Sequence, residues 1–417
     1  MSEVRREKGE KGVRNRFPLF GKRFLTPFSL TLIAAAAVGV GVWWWSRMPP
    51  PEPPEPDLAE VDPEVVEAIA AARQAVRRRP NDGGVWGRLG MVLLAHDFHP
   101  EAQRCFAEAE RLDPTEVRWP YLRGLSLLLT EPDAGLRCLQ RVAESSGKDP
   151  PPPRLRLAET LLTQGRLDDA EHHLEQTRKA EPDNPRLQLN LGRLALLRGQ
   201  WQSALELLEP CTNDIHARRL AHTLRAEAWT HLHEPDKARA EQRQATEAPE
   251  DQLWPDPFVE DVVQLQCGLA VRLRQVGDLL AQRRYPQAVQ LLDETVQRYP
   301  QSTTAWLHLG DTWRQLGRPD RAEPAFREAV RIDPDSPDAW FRLGYIQALD
   351  RPGEAADSFR RAIRLKPDHA LAHFNLANLL KQLDDPAGAA DEFRAALRCQ
   401  PDYAPARDAL RELENHK

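Results

Sequence analysis

Four histidines, His216, His222, His231 and His233, crowd one short stretch, and His172 and His173 adjoin one another earlier in the chain. Imidazoles so concentrated could ligate a metal or relay protons. Neither group has the His-x3-His spacing with an adjoining Glu that sets two ligands and a base on one helical face, so both read as solvated helix surface. The five cysteines, Cys105, Cys138, Cys211, Cys267 and Cys399, stand more than thirty residues apart and form no C-x-x-C pair. Zinc and dithiol chemistry are therefore not expected. Cys105, Cys138 and Cys211 fall on predicted second helices, where a thiol serves as a small apolar filler. There is no G-x-S-x-G, no phosphate-cradling glycine loop and no Gly-Lys-Ser or Gly-Lys-Thr. No catalytic residue, cofactor, metal or small-molecule substrate is expected, and the chain is not read as an enzyme.

The elements that carry these residues are set by a repeat. In Thr303–Pro334, Trp306, Leu309, Gly310 and Trp313 follow at spacings of three, one and three, which is one stripe of a helix. Gly317, Arg318 and Pro319 make a turn. Ala322, Phe326 and Ala329 then give a second helix, and Pro334 closes it. Gly310, Ala322 and Ala329 are small where two facing helices must approach, and Trp306, Trp313 and Phe326 fill the space left. The same thirty-four-residue spacing returns in Trp86, Leu89, Gly90, Ala102, Phe106, Ala109 and Pro114. It returns again in Trp340, Leu343, Gly344, Ala355, Phe359, Ala362 and Pro367, and in Leu376, Ala377, Ala389, Phe393, Ala396 and Pro401. Weaker copies run through Gly124, Gly165, Gly192, Trp229 and Ala288, for about nine units in all.

These residues carry the W-x2-L-G-x2-Y, A-x3-F, A, P signature, with Trp313 at the usual Tyr position, and residues 64 to 417 resemble tetratricopeptide-repeat proteins. The resemblance implies an all-α fold of tandem helical hairpins in a superhelical solenoid, whose concave face binds extended peptides or partner helices. It implies no chemistry by itself. By the same resemblance the groove is lined by first-helix residues turned away from the packing stripe. Here these are Leu307, Asp311, Arg314, Phe341, Tyr345, Phe374, Asn375, Asn378 and Lys381. Phe341, Tyr345 and Phe374 would form an apolar floor, with Arg314, Asn378 and Lys381 holding a peptide backbone or carboxylate; ordinary packing and solvation is the competing reading. The Lys and Asn slots of the family's carboxylate clamp hold Leu307 and Asp311, so that clamp is absent from these units. Only Asn190 and Asn375 match the asparagine-ladder slot used by other relatives.

The net charge of -6 is unevenly spread: residues 1–47 hold nine Lys and Arg against three Glu, which leaves the rest near -12. An acidic body argues against nucleic acid. Residues 1–27 read as a basic cytoplasmic tail too polar to bury a core. Phe28 to Trp45 is free of charge for eighteen residues, and the spacing predicts one transmembrane helix over 28–46. Trp43, Trp44 and Trp45 would sit at the far interface. Eight basic residues precede the span, while Met48 to Ala72 holds seven acids and no Lys or Arg, so the amino end stays cytoplasmic and the body is exported to the periplasmic side. Cleavage as a signal peptide lacks its small residues, since the run ends in three Trp. A lipoprotein Cys and a twin-arginine motif are also lacking.

Residues 47–60, rich in Pro and Glu, are expected to be a stiff extended spacer that holds the body off the membrane. A first array is expected over 61–252, with Ala68, Ala72 and Ala75 opening it as a half repeat. The period breaks at 253–268, where Pro255 and Pro257 stand beside Trp254 and Phe258, and this reads as a non-repeat insertion. A second array with a capping helix follows over 269–417. The sequence thus points to a membrane-anchored scaffold or adaptor in the bacterial cell envelope, with a protein or peptide partner in its groove. The alternatives are a regulatory or assembly subunit of a membrane enzyme or of a biogenesis or secretion complex of the cytochrome-maturation type, or a soluble exported module after cleavage.

Overall fold

The computed structural model describes residues 51–145 and 151–415. It divides between Glu52 and Pro53, and the unit Pro53–Lys417 holds every helix among the described residues. The expected tail over 1–27 and span over 28–46 lie outside the described residues. Among those described, no helix is long and apolar enough to cross a membrane.

A single helix, α1 (Pro63–Arg78), opens the body. Five hairpins follow it. They pair α2 (Gly83–Ala95) with α3 (His99–Leu112), α4 (Arg118–Leu127) with α5 (Pro132–Ser145), and α6 (Pro151–Thr163) with α7 (Leu167–Ala180). Next come α8 (Pro185–Leu197) with α9 (Trp201–Leu208), which a 3-10 turn extends over Glu209–Asn213, and α10 (Arg218–His231) with α11 (Pro235–Glu247). The short α12 (Pro257–Val263) stands alone. Four more hairpins pair α13 (Leu269–Ala281) with α14 (Tyr285–Arg298), α15 (Thr303–Gln315) with α16 (Pro319–Ile332), α17 (Pro337–Gln347) with α18 (Pro352–Leu365), and α19 (Ala370–Gln382) with α20 (Pro386–Cys399). The last helix is α21 (Ala404–Asn415). No strand occurs among the described residues.

The hairpins form where local chemistry puts them. Ser302, Ser336, Asp82 and Asn184 cap first helices by accepting a backbone N–H three residues on. Pro begins most second helices, where its missing N–H costs nothing. The turn residue between the two helices takes a left-handed backbone: Gly165, Gly199 and Gly317 do so at φ 73°, 72° and 69°. Asp97, His233, Arg283 and Asp384 stand at the same place in other hairpins with φ from 57° to 66°, a conformation an L residue adopts at a cost. In the second and eighth hairpins, whose turns are short by sequence, the first helix ends early and no residue crosses into this region.

Small residues on the first helices admit the rings of the second. A Cβ on Gly310 would lie 2.4 Å from the Phe326 ring, and one on Gly90 would lie 2.7 Å from Phe106. Phe106, Phe326, Phe359 and Phe393 are fully buried, whereas Trp306, Trp313 and Trp340 are only half-buried. The tryptophans add a fixed hydrogen bond: the indole N–H of Trp86, Trp306 and Trp340 donates to the carbonyl of the proline six residues earlier, at 2.8, 3.0 and 2.8 Å. His373 takes this place in the ninth hairpin, with Nε2 3.0 Å from the Pro367 carbonyl and Nδ1 2.6 Å from Glu392. The core is accordingly a row of local clusters instead of one centre.

Two segments differ from the sequence expectation. Part of the expected spacer lies against the body: Pro53 and Pro56 are buried, and Glu55 pairs with Arg73 of α1 at 3.0 Å. Proline rings offer apolar surface, and here that surface is covered. The opening half repeat also does more than cap the first array. At the head of α1, the Asp62 carboxylate accepts the Leu269 N–H at 2.8 Å and the Tyr299 hydroxyl at 2.8 Å, and Glu64 forks onto Arg272 at 2.9 and 3.1 Å. Glu67 pairs with Arg298. The start of the first array is thereby joined to the start of the second.

Candidate functional site

Residues 249–268 run back across the first array, along the face made by its first helices. Asp251 begins the crossing by accepting the N–H groups of Arg219 and Leu220 at the head of α10, both at 2.9 Å. Trp254 stacks on His216 with ring centroids 5.0 Å apart. Asp256, buried, then caps α12 through the N–H groups of Phe258 and Val259, while its second oxygen receives the Tyr121 hydroxyl at 2.5 Å. Phe258 lies against the Tyr121 ring at 5.5 Å and beneath the Arg118 guanidinium at 5.7 Å. Arg118 also reaches Asp261 at 3.2 Å. Val262 enters the core cluster of the first four hairpins. Cys267 meets His96 at 3.5 Å, and Gly268, at φ 99°, turns the chain toward Asp62 and Glu64. Segment 253–268 therefore covers this face over α2, α4 and the head of α10.

The electrostatics beneath it are mixed. Arg186, buried, forks onto Glu159 at 2.7 and 2.8 Å, and Asn190 donates to the same carboxylate at 3.1 Å. Arg156 lies 3.6 Å from Glu159. Burial and the Asp256 carboxylate hold the Tyr121 phenol well above its ordinary range, so it donates to Asp256 at neutral pH.

The corresponding face of the second array is open. Asp311, Arg314, Phe326, Phe341, Arg342, Tyr345, Leu371 and Asn375 line a cleft of about 300 Å³ between α15, α17 and α19. Two guanidinium groups share one carboxylate there: Arg314 lies 3.4 Å from Asp311, and Arg342 pairs with it as well. The Arg342 Nε is buried with no hydrogen-bond partner, and burial holds this guanidinium below its usual pKa. Arg314 covers the Tyr345 ring at 5.7 Å. Tyr345 and Leu371 are each 45% exposed, so the cleft presents apolar surface to solvent.

Of the nine residues read from the sequence, Asp311, Arg314, Phe341, Tyr345 and Asn375 come together in this cleft. The other four stand elsewhere. Leu307 packs against the Phe326 cluster. Phe374 is held between Phe393 and Tyr403, at 5.7 and 5.2 Å. Lys381 pairs with Glu412 of α21 at 3.5 Å, and Asn378 is half-buried outside the cleft. Even Phe341 is partly spent on packing, 5.9 Å from Phe359 and 4.8 Å from His369. Sequence reasoning passed over Arg342 and Leu371 here, and Arg118, Tyr121, Asp256 and Phe258 in the first array. Asp256 before Pro257 was the available signal, being a helix cap followed by the favoured first helical residue.

Two of the clustered histidines have local partners. His222 pairs with Glu241 at 2.6 Å, and His231 stacks on Trp201 at 4.0 Å. Among the described residues no three His, Cys, Asp or Glu stand where they could hold a metal ion. Cys105, Cys138 and Cys211 are buried and unpaired; burial pushes the Cys105 thiol up to about 12 and the Cys211 thiol to about 11.

Residues 273–337, 314–351 and 347–404 match one family described as tetratricopeptide repeat, and residues 131–188 and 161–228 match a second of the same description. No curated protein matches the chain. Similar solved structures include a crystal structure of MamA protein, 19% identical over 35% of this chain and 80% of that one, with a TM-score of 0.34. Another is the first TPR of Spaghetti (RPAP3) bound to the HSP90 peptide SRMEEVD, 17% identical over 28% of this chain and 93% of that one, with a TM-score of 0.27.

Proposed function

This chain belongs to the tetratricopeptide-repeat proteins, and on that premise we propose that it is a membrane-anchored scaffold of the bacterial cell envelope whose second array captures an extended segment of a partner protein. One observation carries the reading: Tyr345 and Leu371 lie exposed beside Arg314 and Arg342 in a cleft between first helices, while the matching face of the first array is covered over α2 and α4 by the chain itself. Exposed apolar side chains next to a surplus guanidinium suit a peptide that offers both an apolar residue and an acceptor. The anchor rests on the charge-free run from Phe28 to Trp45, and the exported body on the basic residues before it.

A photo-crosslinking residue at position 345 in the full chain, irradiated in membranes, should capture a discrete protein. Capture should fall at least about fivefold when Arg314→Ala is added, a loss expected of one charge-assisted hydrogen bond. Capture from position 254 and none from 345 would place the partner on the first array instead. Alkaline extraction should leave the protein in the membrane pellet, and protease added to intact spheroplasts should degrade the body. Release by alkali would favour the cleaved, soluble form, and full protection would overturn the orientation.

A further inference from the structure

Residues 253–268 touch the first array as a bound peptide touches its receptor. The anchoring contacts are made by three side chains within six residues: Asp256 on Tyr121, Phe258 on Tyr121 and Arg118, Asp261 on Arg118. The stretch places one buried apolar side chain, Val262, in a core cluster otherwise supplied by α1 to α8, while Phe258, Leu265 and Cys267 are only partly buried against it. Hairpin packing in that array is continuous without it, because each first helix rests on its own second helix and on the neighbouring repeat. Residues 249–256 are not helical, and Leu253 is 93% exposed between the contacts of Asp251 and Trp254. The face beneath is suited to acids. Arg118, Arg156 and Arg186 line it with Glu159, and the stretch meets them with Asp256 and Asp261.

We propose that residues 253–268 are a built-in competitor for the first array's face, displaced by a partner protein that presents the same chemistry: a carboxylate, an aromatic ring two residues later and a second carboxylate three residues beyond that. This goes beyond the reading of the second array, whose cleft no segment of the chain covers among the described residues. A competitor tethered by a short linker acts at an effective concentration of roughly millimolar, so the face is closed to weak ligands and opens to strong ones. The apparent affinity of an outside peptide is lowered by the fraction of time the face is free.

The test uses the full chain and a fluorescein-labelled synthetic peptide copying residues 252–268, with Cys267→Ser to prevent oxidation. Phe258→Ala in the chain weakens only the tethered copy and should tighten peptide binding by at least about tenfold. Adding Arg118→Ala to that variant should abolish the gain. Equal peptide affinity for the unaltered chain and a folded Phe258→Ala variant would overturn the proposal, as would a concentration-dependent dimer formed by exchange of the segment. Hydrogen exchange on the unaltered chain decides the matter if the variant does not fold. Amides of residues 259–264 should exchange on the order of a hundredfold faster than those of α3, and faster still with excess peptide. Protection equal to that of α3 and indifferent to peptide would identify a fixed strut.

Discussion

The Tyr121 hydroxyl donates to the Asp256 carboxylate across 135 residues of sequence, at 2.5 Å and out of water. Tyr121→Phe removes the donor and leaves a buried carboxylate with one oxygen unsatisfied, a loss of about 1–3 kcal/mol. Urea unfolding should show it as a lower midpoint. In a double-mutant cycle with Asp256→Ala the two losses should not add in full, because both remove the same contact.

The ninth hairpin should weaken as pH rises. The hydrogen bond to Glu392, with help from the Pro367 carbonyl, holds the His373 pKa above its ordinary 6.5. A raised folded pKa contributes stability that is fully present below the unfolded value and is lost as pH climbs through the folded one. Hydrogen exchange of α19 and α20 should therefore accelerate above pH 6.5, beyond the intrinsic increase in amide exchange. His373→Trp restores the side chain used by Trp306 and Trp340 and should flatten that dependence.

At the joint between the arrays the sign reverses. The Arg272 guanidinium, aided by Tyr299 and the Gly268 N–H, holds the Glu64 carboxyl down at about 2 from 4.5. This contribution is present above pH 4.5 and is lost as pH falls through about 2. Acid titration followed by the urea midpoint should show a loss across that window, smaller in Glu64→Gln.

Turn geometry gives a stabilising prediction. Arg283 holds φ 57° between α13 and α14, where three other hairpins have glycine. Arg283→Gly relieves a left-handed cost of roughly 1–2 kcal/mol, partly offset by glycine's greater freedom when unfolded, for a net gain of about 0.5–1 kcal/mol. Gly317→Ala should move the thermal midpoint the other way.

Burial ranks the aromatic residues of the clearest repeat. Phe326 is fully buried against Gly310, and Phe326→Ala should cost about 3–5 kcal/mol. Trp306 is half-buried, so Trp306→Ala should cost about half as much, including its hydrogen bond to Pro300. Equal losses would mean that the indole carries more of the core than its exposure implies.

The hairpins were legible because their determinants are local. Gly310 with Phe326, Ser302 before α15 and Gly317 in its turn all act within one period, and periodic spacing exposes them. The cleft was half legible. Register located Asp311, Arg314 and Tyr345 on the first-helix face, but it could not tell Phe374, committed to Phe393 and Tyr403, from a free ring. The covering of the first array was not legible. Its contacts join residues 135, 171 and 207 positions apart, and no spacing rule connects Tyr121 to Asp256, His96 to Cys267 or Asp62 to Leu269. A break in period marks where such a segment starts but not where it lands.

The joint at the head of α1 also fixes how load travels. Tension entering the body at Pro53 reaches Asp62, Glu64 and Glu67 within the first turns of α1. From there one path leads straight to α13 and α14, in parallel with the path through the packed hairpins between. Under pull from its amino end, the second array would therefore hang from a clasp of three carboxylates, with the contacts of residues 253–268 on the first array taking up the load when the clasp opens.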